Sequence, residues 1–444
     1  MLLLRGSLRL ASISGKLQAG IAMQGVFVLC LCYSYIYSLN TYSQSRHEVK
    51  RDLQFQLPTD VDPTLPLQSP FLSGSTTNSK LCEINILFFG IVPYWKDILN
   101  NQEHRNKKWI RNVLEGTRVR CNDEACSVHV SYTETPEEIV KADVVIFANI
   151  FNWMDSDVWD RLIKLRPAEQ KWIMSTQESP PYVPGLKPPL IYRNISYDWS
   201  DTYRADATFP SPYGRYAPSA SKDQLYARQH KLDALIKGKA KSVVWVASHC
   251  ETLQWNRTKF VEDLQQYIPI DTYGKCGSKP LPWRRRELMR KVMEPYRFYL
   301  SFENSCCDQY ITEKFWRSLD FGMIPVVVGA PLRHYQDVAP KDSFLHIDQF
   351  DSLKDMADYM IEISENTSKM RKHLAWRLKG DIYTEEIQDH ILKPLRNTTL
   401  CAIVKRLKSN VVEDPKNMFD YFGDKWGNSC HACGAKRWMR SYQT

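Results

Sequence analysis

With 444 residues, 43% of them hydrophobic and 25% charged, the chain exceeds one ordinary core and is too apolar to be disordered, so two globular domains with appendages are expected. Its formal charge of +9 is small for this length and is spread among 50 acidic side chains. That argues against a nucleic-acid groove and leaves a local anionic ligand as the better use of the positive excess.

In chain order, the first element is an uncharged stretch, Leu17 to Leu39, "LQAGIAMQGVFVLCLCYSYIYSL". Its length suits the roughly 20 residues that a membrane-spanning helix needs. A cleaved signal peptide would have a shorter apolar core and a small-residue cleavage site, whereas this core runs on into tyrosines suited to an interface. Arg5, Arg9 and Lys16 precede the span, so residues 1–16 are expected in the cytosol, 17–39 as a single signal anchor, and everything beyond in a lumen. Cysteine usage agrees. Of twelve cysteines, Cys30 and Cys32 lie in the span and ten lie beyond it, an even number in a compartment where disulfides persist. Glycosylation sequons at Asn194, Asn256, Asn366 and Asn397 fit the same compartment.

Residues 40–81 mix Ser, Thr, Pro and Gln without a period and read as a stem. Ordered structure is expected from about residue 82. Short apolar runs at Ile84–Gly90, Ala142–Ile150 and Lys171–Gln177, with a helical pattern from Asp157 to Leu165 between them, predict parallel sheet covered by helices. The Pro- and aromatic-rich stretch from Tyr182 to Tyr216 reads as a long ordered loop. After a Lys-rich helix from Asp223 to Lys241, the strand "SVVWVAS" opens a second α/β domain, followed by strand candidates "IDTYG", "RFYLSFE" and "IPVVVGA". The division expected is 82–240, 241–400 and a cysteine-containing tail over 401–444. In that tail Cys430-His-Ala-Cys433 lacks a second ligand pair for zinc, so disulfide partners elsewhere are expected.

The densest chemistry lies in "FENSCCDQYITEKFW", Phe302 to Trp316. Alternation before Glu303 predicts a strand, and helical spacing after Thr312 predicts a helix with Thr312 as N-cap and Gly322 at its close. A strand, loop, helix, strand unit in parallel sheet puts its loop at the carboxyl end of the strands, where α/β folds keep ligands. Helix N–H groups with the Lys314 ammonium suit a phosphate or diphosphate, while Glu313 suits hydroxyls, a pairing that fits a nucleotide sugar. Read without further context, Asp308 and Thr312 serve only as caps, Glu313 complements the helix dipole and Lys314 is solvated.

The segment "YRFYLSFENSCCDQYITEKFWRSLDFGMIPVVVGA" closely resembles the signature region of the α-1,3-fucosyltransferases, glycosyltransferase family ten. The resemblance continues through "DVVIFANI", "LRPAEQKWIMSTQESP", "ISYDWSDTYRADATFPSPYGRY", "IPIDTYGKCG", "APKDSFLHIDQFDSLKDMADYM" and the terminal "CHAC", from about Cys82 to Cys433. It implies a GT-B fold, two Rossmann-like domains facing across a cleft, with acceptor chemistry on the first and GDP-fucose on the second. By motif, Glu178 of "ESP" is similar to the family's general base. Tyr310, Glu313 and Lys314 of "YITEK" are similar to its donor contacts, with Glu313 toward fucose and Lys314 toward the diphosphate. Glu303 and Asn304 of "FEN" are expected in the same pocket, and Arg257 of "WNRTKF" resembles the diphosphate-binding arginine. Because Asn256 precedes it, a glycan there would obstruct the pocket, so one of those two assignments is expected to fail. Cys306 and Cys307 depart from the family's commoner polar residues, and disulfides are expected there rather than a reactive thiol.

What the resemblance implies is an inverting α-1,3-fucosyltransferase of the Golgi membrane, its catalytic part lumenal, acting on a GlcNAc hydroxyl of an N-glycan core or a LacNAc antenna. Inversion in one displacement needs a base on the acceptor side and charge stabilisation at the leaving group. Asp155-Ser156-Asp157, and Asp60-Val61-Asp62 in the stem, have the Asp-x-Asp form that can hold manganese, but Asp155 stands where it would cap a helix, and no metal or other cofactor is expected to be required. Two other readings are an inactive lectin-like or scaffolding relative and a structural membrane protein with an ordinary α/β ectodomain.

Overall fold

The structure, a computed structural model, describes residues 82–90, 117–148, 154–193, 197–218, 225–250, 254–282, 285–384, 397–409 and 425–444. The expected membrane span with Cys30 and Cys32, the stem with Asp60 and Asp62, the sequon at Asn194 and the side chain of Asn397 lie outside the described residues. Among the described residues no helix is long and apolar enough to cross a membrane.

Seven strands form the first sheet: β1 (Cys82–Phe89), β2 (Thr117–Cys121), β3 (Cys126–Thr133), β4 (Val144–Ala148), β5 (Lys171–Thr176), β6 (Trp199–Thr202) and β7 (Phe209–Pro210), in the order β2-β3-β1-β4-β5-β6-β7. All neighbours run parallel except β2 against β3. In β4, Val144 to Phe147 are fully buried, as a strand covered on both faces requires. The second sheet is entirely parallel, with β9 (Lys241–Val246), β10 (Ile270–Tyr273), β11 (Tyr296–Phe302), β12 (Ile324–Val328) and β13 (Leu345–His346) in the order β10-β9-β11-β12-β13. The chain reverses direction across this sheet between β9 and β11, which opens a crevice beyond their carboxyl ends. Two doubly wound α/β lobes of the kind expected for a GT-B glycosyltransferase are thus formed by the described residues.

The helices are α1 (Ser156–Leu165), α2 (Leu225–Lys237), α3 (Arg257–Leu264), α4 (Arg286–Met293), α5 (Glu313–Asp320), α6 (Leu332–Val338), α7 (Leu353–Glu365), α8 (Thr367–Leu374) and α9 (Asn397–Lys408). Thr312 caps α5 as expected, its hydroxyl accepting from the Lys314 N–H at 3.4 Å, and Gly322 turns the chain out of the helix at φ +74°. Asp155 does occupy the N-cap position of α1, but its side chain makes no capping hydrogen bond.

Two expectations are corrected. The stretch Tyr182–Tyr216 is not a loop throughout, because it contributes β6, β7 and the start of β8 (Gly214–Pro218). Polar Trp199-Ser200-Asp201-Thr202 tolerates burial because Asp201 accepts from the hydroxyls of Ser175 at 2.8 Å and Ser211 at 2.6 Å. The lobes also do not divide cleanly at residues 240 and 400. β14 (Gly380–Thr384) pairs antiparallel with β8, and α9 returns to the first lobe, burying Leu400, Ile403 and Val404 in its core. Those three residues lie one helical turn apart and cover one stripe.

All ten cysteines beyond the expected span are paired: Cys82–Cys126, Cys121–Cys401, Cys250–Cys276, Cys306–Cys433 and Cys307–Cys430. The expectation for Cys306, Cys307, Cys430 and Cys433 is thereby met, each of the adjacent pair reaching a different cysteine of the tail.

Candidate active site

The carboxyl ends of both sheets supply the site. Two residues past β5, Glu178 is anchored by its own N–H, which donates to the Thr176 hydroxyl at 2.9 Å. From the second lobe the Tyr310 hydroxyl donates to Glu178 Oε2 at 2.8 Å. Burial pushes the Glu178 carboxyl up to about 7, against the opposing pull of the Tyr310 hydrogen bond and the Lys314 ammonium. A carboxylate poised near neutrality is suited to general-base work.

Glu313 and Lys314 open α5. Lys314 Nζ lies 3.5 Å from Glu313 Oε1 and 3.1 Å from Glu303 Oε2, with its side chain 19% exposed. Burial works to lower the Lys314 pKa, but Glu303 and Glu313 together hold it above the ordinary lysine range. Burial likewise works to raise Glu313, yet Lys314, Arg317 and the Thr312 hydroxyl bring it below its usual value. Both groups are therefore charged at neutral pH. Arg257, the first residue of α3, is buried beside them and spans the crevice between β9 and β11, donating to the carbonyls of Phe302 at 3.4 Å and His249 at 2.5 Å.

Glu178, Tyr310, Glu313, Lys314, Arg257, Glu303 and Asn304 are thus brought to one place, the first from one lobe and the rest from the other. Glu303 differs from the sequence expectation in one respect. Its side chain is fully buried behind Lys314, so it does not face the cleft as a donor contact would. Asn304 Oδ1 and Gln177 Oε1 are buried acceptors without a partner among the described residues. Such atoms cost roughly 1–3 kcal/mol each when left unpaired, and they suit a ligand rich in hydroxyl or amide donors.

The lobes are joined directly at the site. Ser179 and Ser305 hydroxyls meet at 2.8 Å, Gln309 Oε1 accepts from the Ala205 N–H at 2.8 Å, and Tyr310 packs on Tyr203 at 5.0 Å between ring centroids. Gln309 sits at φ +60°, in the left-handed region, a conformation that persists only where the surroundings impose it. Here they do: the 303–312 loop is held by both tail disulfides, by Asp308 N–H to the Ser429 carbonyl at 2.9 Å and by His431 N–H to the Cys306 carbonyl at 2.8 Å.

Asn256 is the N-cap of α3, its Oδ1 accepting from the Lys259 N–H at 2.9 Å, while its neighbour Arg257 turns inward. Asn366 is exposed and caps α8 in the same way. Asp155 and Asp157 are exposed at the start of α1, and among the described residues no group of three His, Cys, Asp or Glu side chains is placed to hold a metal ion. Sequence reasoning missed Arg317, though its spacing of four from Glu313 on a helix was readable, and it missed Gly329, Ser179 and Tyr213, whose hydroxyl donates to the Gln177 carbonyl at 2.5 Å, because their contacts are with residues distant in sequence.

Residues 236–419 match the family model described as glycosyltransferase family 10 (fucosyltransferase), C-terminal, and residues 91–214 match that of the fucosyltransferase N-terminal region. Human alpha-(1,3)-fucosyltransferase 7 is 32% identical over 261 residues, which are 57% of this chain and 68% of that protein. The chain belongs to glycosyltransferase family 10. Among other family 10 relatives, rat (Rattus norvegicus) alpha-(1,3)-fucosyltransferase 7 is 33% identical over 57% of this chain and 62% of its own length, and human alpha-(1,3)-fucosyltransferase 4 is 34% identical over 50% and 41%. The chain therefore spans between two fifths and about three fifths of these two relatives. A crystal structure of an alpha1,3-fucosyltransferase with GDP-fucose aligns at a TM-score of 0.45 and 15% identity, covering 77% of this chain and 95% of that one. The resemblance read from the sequence signature and the family 10 models agree, and the gap between the two models, residues 215–235, runs from within β8 to within α2.

Proposed function

We propose that this family 10 member is an inverting α-1,3-fucosyltransferase that moves L-fucose from GDP-β-L-fucose to a GlcNAc hydroxyl of glycoprotein glycans, on an N-glycan core or a LacNAc antenna. The observation that carries the reading is the opposition of Glu178, a half-buried carboxyl near neutrality, to the cationic pair Arg257 and Lys314 across the lobe boundary. Glu178 takes the proton of the acceptor hydroxyl as that oxygen attacks the anomeric carbon. The bond to the β-phosphate oxygen breaks in the same displacement, which turns a β-linked donor into an α-linked product. Negative charge then collects on GDP, where Arg257, Lys314 and the first N–H groups of α5 receive it. Glu313 is placed beside the diphosphate end to accept from fucose hydroxyls.

With two fixed cations for the diphosphate, no metal is required in this reading. Residues 17–39 anchor the protein in the Golgi membrane as a single-pass type II protein, and the described part faces the lumen, the compartment in which five disulfides endure. The retained Glu178, Glu313 and Lys314 speak against an inactive relative. The test is transfer from GDP-fucose to a panel of glycan acceptors by the oxidised lumenal portion in the presence of EDTA, with linkage analysis of the product. An α-1,3-fucosylated GlcNAc supports the proposal, and absence of turnover with every acceptor, or activity only with added manganese, removes it.

The Tyr310 hydroxyl lowers the pKa of Glu178 by hydrogen bonding to its ionised form. Tyr310→Phe is therefore expected to move the acid limb of the kcat/KM profile upward in pH from its position near 7. The loss relative to wild type is then larger at pH 6 than at pH 8.5. A limb that stays in place would show that Glu178 is not the group being titrated.

A further inference from the structure

Glu303 has no access to solvent, yet three donors converge on its carboxylate. Oε1 accepts from the Thr312 N–H at 2.9 Å, and Oε2 accepts from the Thr312 hydroxyl at 2.9 Å and from Lys314 Nζ at 3.1 Å. Burial works to raise the Glu303 pKa, while the Lys314 ammonium and the hydrogen bonds from Thr312 and Lys314 favour its ionised form. Its backbone is fixed as well. Glu303 N–H donates to the Val328 carbonyl at 2.9 Å, and the Trp255 indole donates to the Glu303 carbonyl at 3.0 Å. Space for the side chain exists because residue 329 is glycine. A Cβ there would stand 2.7 Å from Glu303 Cγ and 3.0 Å from the Tyr335 hydroxyl oxygen.

A buried negative charge within reach of a site for a diphosphate is adverse on Coulomb grounds alone, since it repels the ligand. The arrangement makes sense if the charge acts on Lys314. A lysine head on four rotatable bonds binds loosely unless something holds it, and Lys314 Nζ is shared between Glu303 Oε2 and the Thr312 hydroxyl, 3.0 Å away. The same carboxylate orders the first turn of α5, whose N–H groups stand beside Lys314. Resting on the donor site proposed above, we propose that Glu303 is a positioning residue: it makes no donor contact but clamps Lys314 and the start of α5 in the geometry that receives the diphosphate.

The test is a double-mutant cycle read by titration calorimetry with GDP. Glu303→Gln keeps the shape of the side chain but replaces one acceptor oxygen with a donor. If Glu303 positions Lys314, GDP binds about tenfold more weakly to Glu303→Gln, even though the pocket has become more positive by one charge. In a Lys314→Ala background the same change then alters affinity by less than about twofold, because the group it acts through is gone. Gly329→Ala, which displaces the carboxylate without removing it, is expected to weaken GDP binding to a similar degree. The KM for GDP-fucose rises in Glu303→Gln and in Gly329→Ala while the KM for acceptor stays near wild type. Unchanged or tighter GDP binding in Glu303→Gln overturns the inference, and so does an equal loss in the Lys314→Ala background, which would mark a general packing defect. Failure of the wild-type protein to bind GDP is a separate result that removes the donor assignment itself, and this inference with it.

Discussion

Glu178→Gln is expected to retain GDP affinity within about threefold and to lose transfer by about 10²–10⁴-fold, the range supplied by a general base. The amide keeps the size of the side chain and still accepts a hydrogen bond from Tyr310, so binding on the second lobe has no reason to change. What disappears is the carboxylate that the first lobe presents to the Tyr310 hydroxyl. Single-turnover transfer and calorimetry with GDP check the two halves separately, and turnover within a factor of a few of wild type would refute the assignment. The same variant carries a stability signature of defined sign. Burial raises the Glu178 pKa to about 7 in the folded protein, above the value near 4.3 of an unfolded chain. The folded state therefore binds this proton more tightly, and the resulting stability is fully present below the unfolded pKa and lost as pH rises through 7. Glu178→Gln is expected to melt higher than wild type at pH 8 and no higher at pH 4.

Lys314→Ala is expected to weaken GDP binding by about 10–100-fold, the range of one or two charge-assisted hydrogen bonds to an oxyanion. Two consequences add up here. The ammonium that would face the leaving diphosphate is lost, and Glu303 is left buried with two donors instead of three. The second is a penalty on folding, because a desolvated carboxylate without its cation is costly. A lower melting temperature in the absence of ligand should accompany the weaker binding, and the gain in melting temperature on adding GDP should shrink. GDP affinity equal to wild type would show that the diphosphate is held elsewhere.

Much of the frame was legible in the sequence. β1, β4, β5, β9 and β12 announce themselves as short, mostly apolar runs, as strands covered on both faces do, and β11 by its alternation before Glu303. β6 does not, since Asp201 is tolerated in the interior only through hydroxyls of Ser175 and Ser211, on two other segments. β3 was missed although buried Cys126, Val128 and Val130 alternate with half-buried Ser127, His129 and Ser131, a regular period-two signal. At the site, Thr312 as a cap and Lys314 as a cation followed from local spacing. The position of Glu303 did not, because it depends on the missing Cβ of Gly329 after the next strand and on Lys314 folding back over it. Return of α9 to the first lobe is likewise non-local, set by which exposed face of β2 and β3 needed covering.

The loop that carries Tyr310 is bolted to the tail through Cys306–Cys433 and Cys307–Cys430, bridges spanning 127 and 123 residues of sequence. A ribosome making about 5–20 residues per second needs roughly 6–25 seconds to travel from one end of these bridges to the other. In the lumenal topology proposed above, the two neighbouring thiols are unmatched until residues 430 and 433 are also delivered to the oxidising compartment, and until then they can join each other or a wrong partner. Fastening of the 303–312 loop therefore has to wait for synthesis of the segment that carries Cys430 and Cys433.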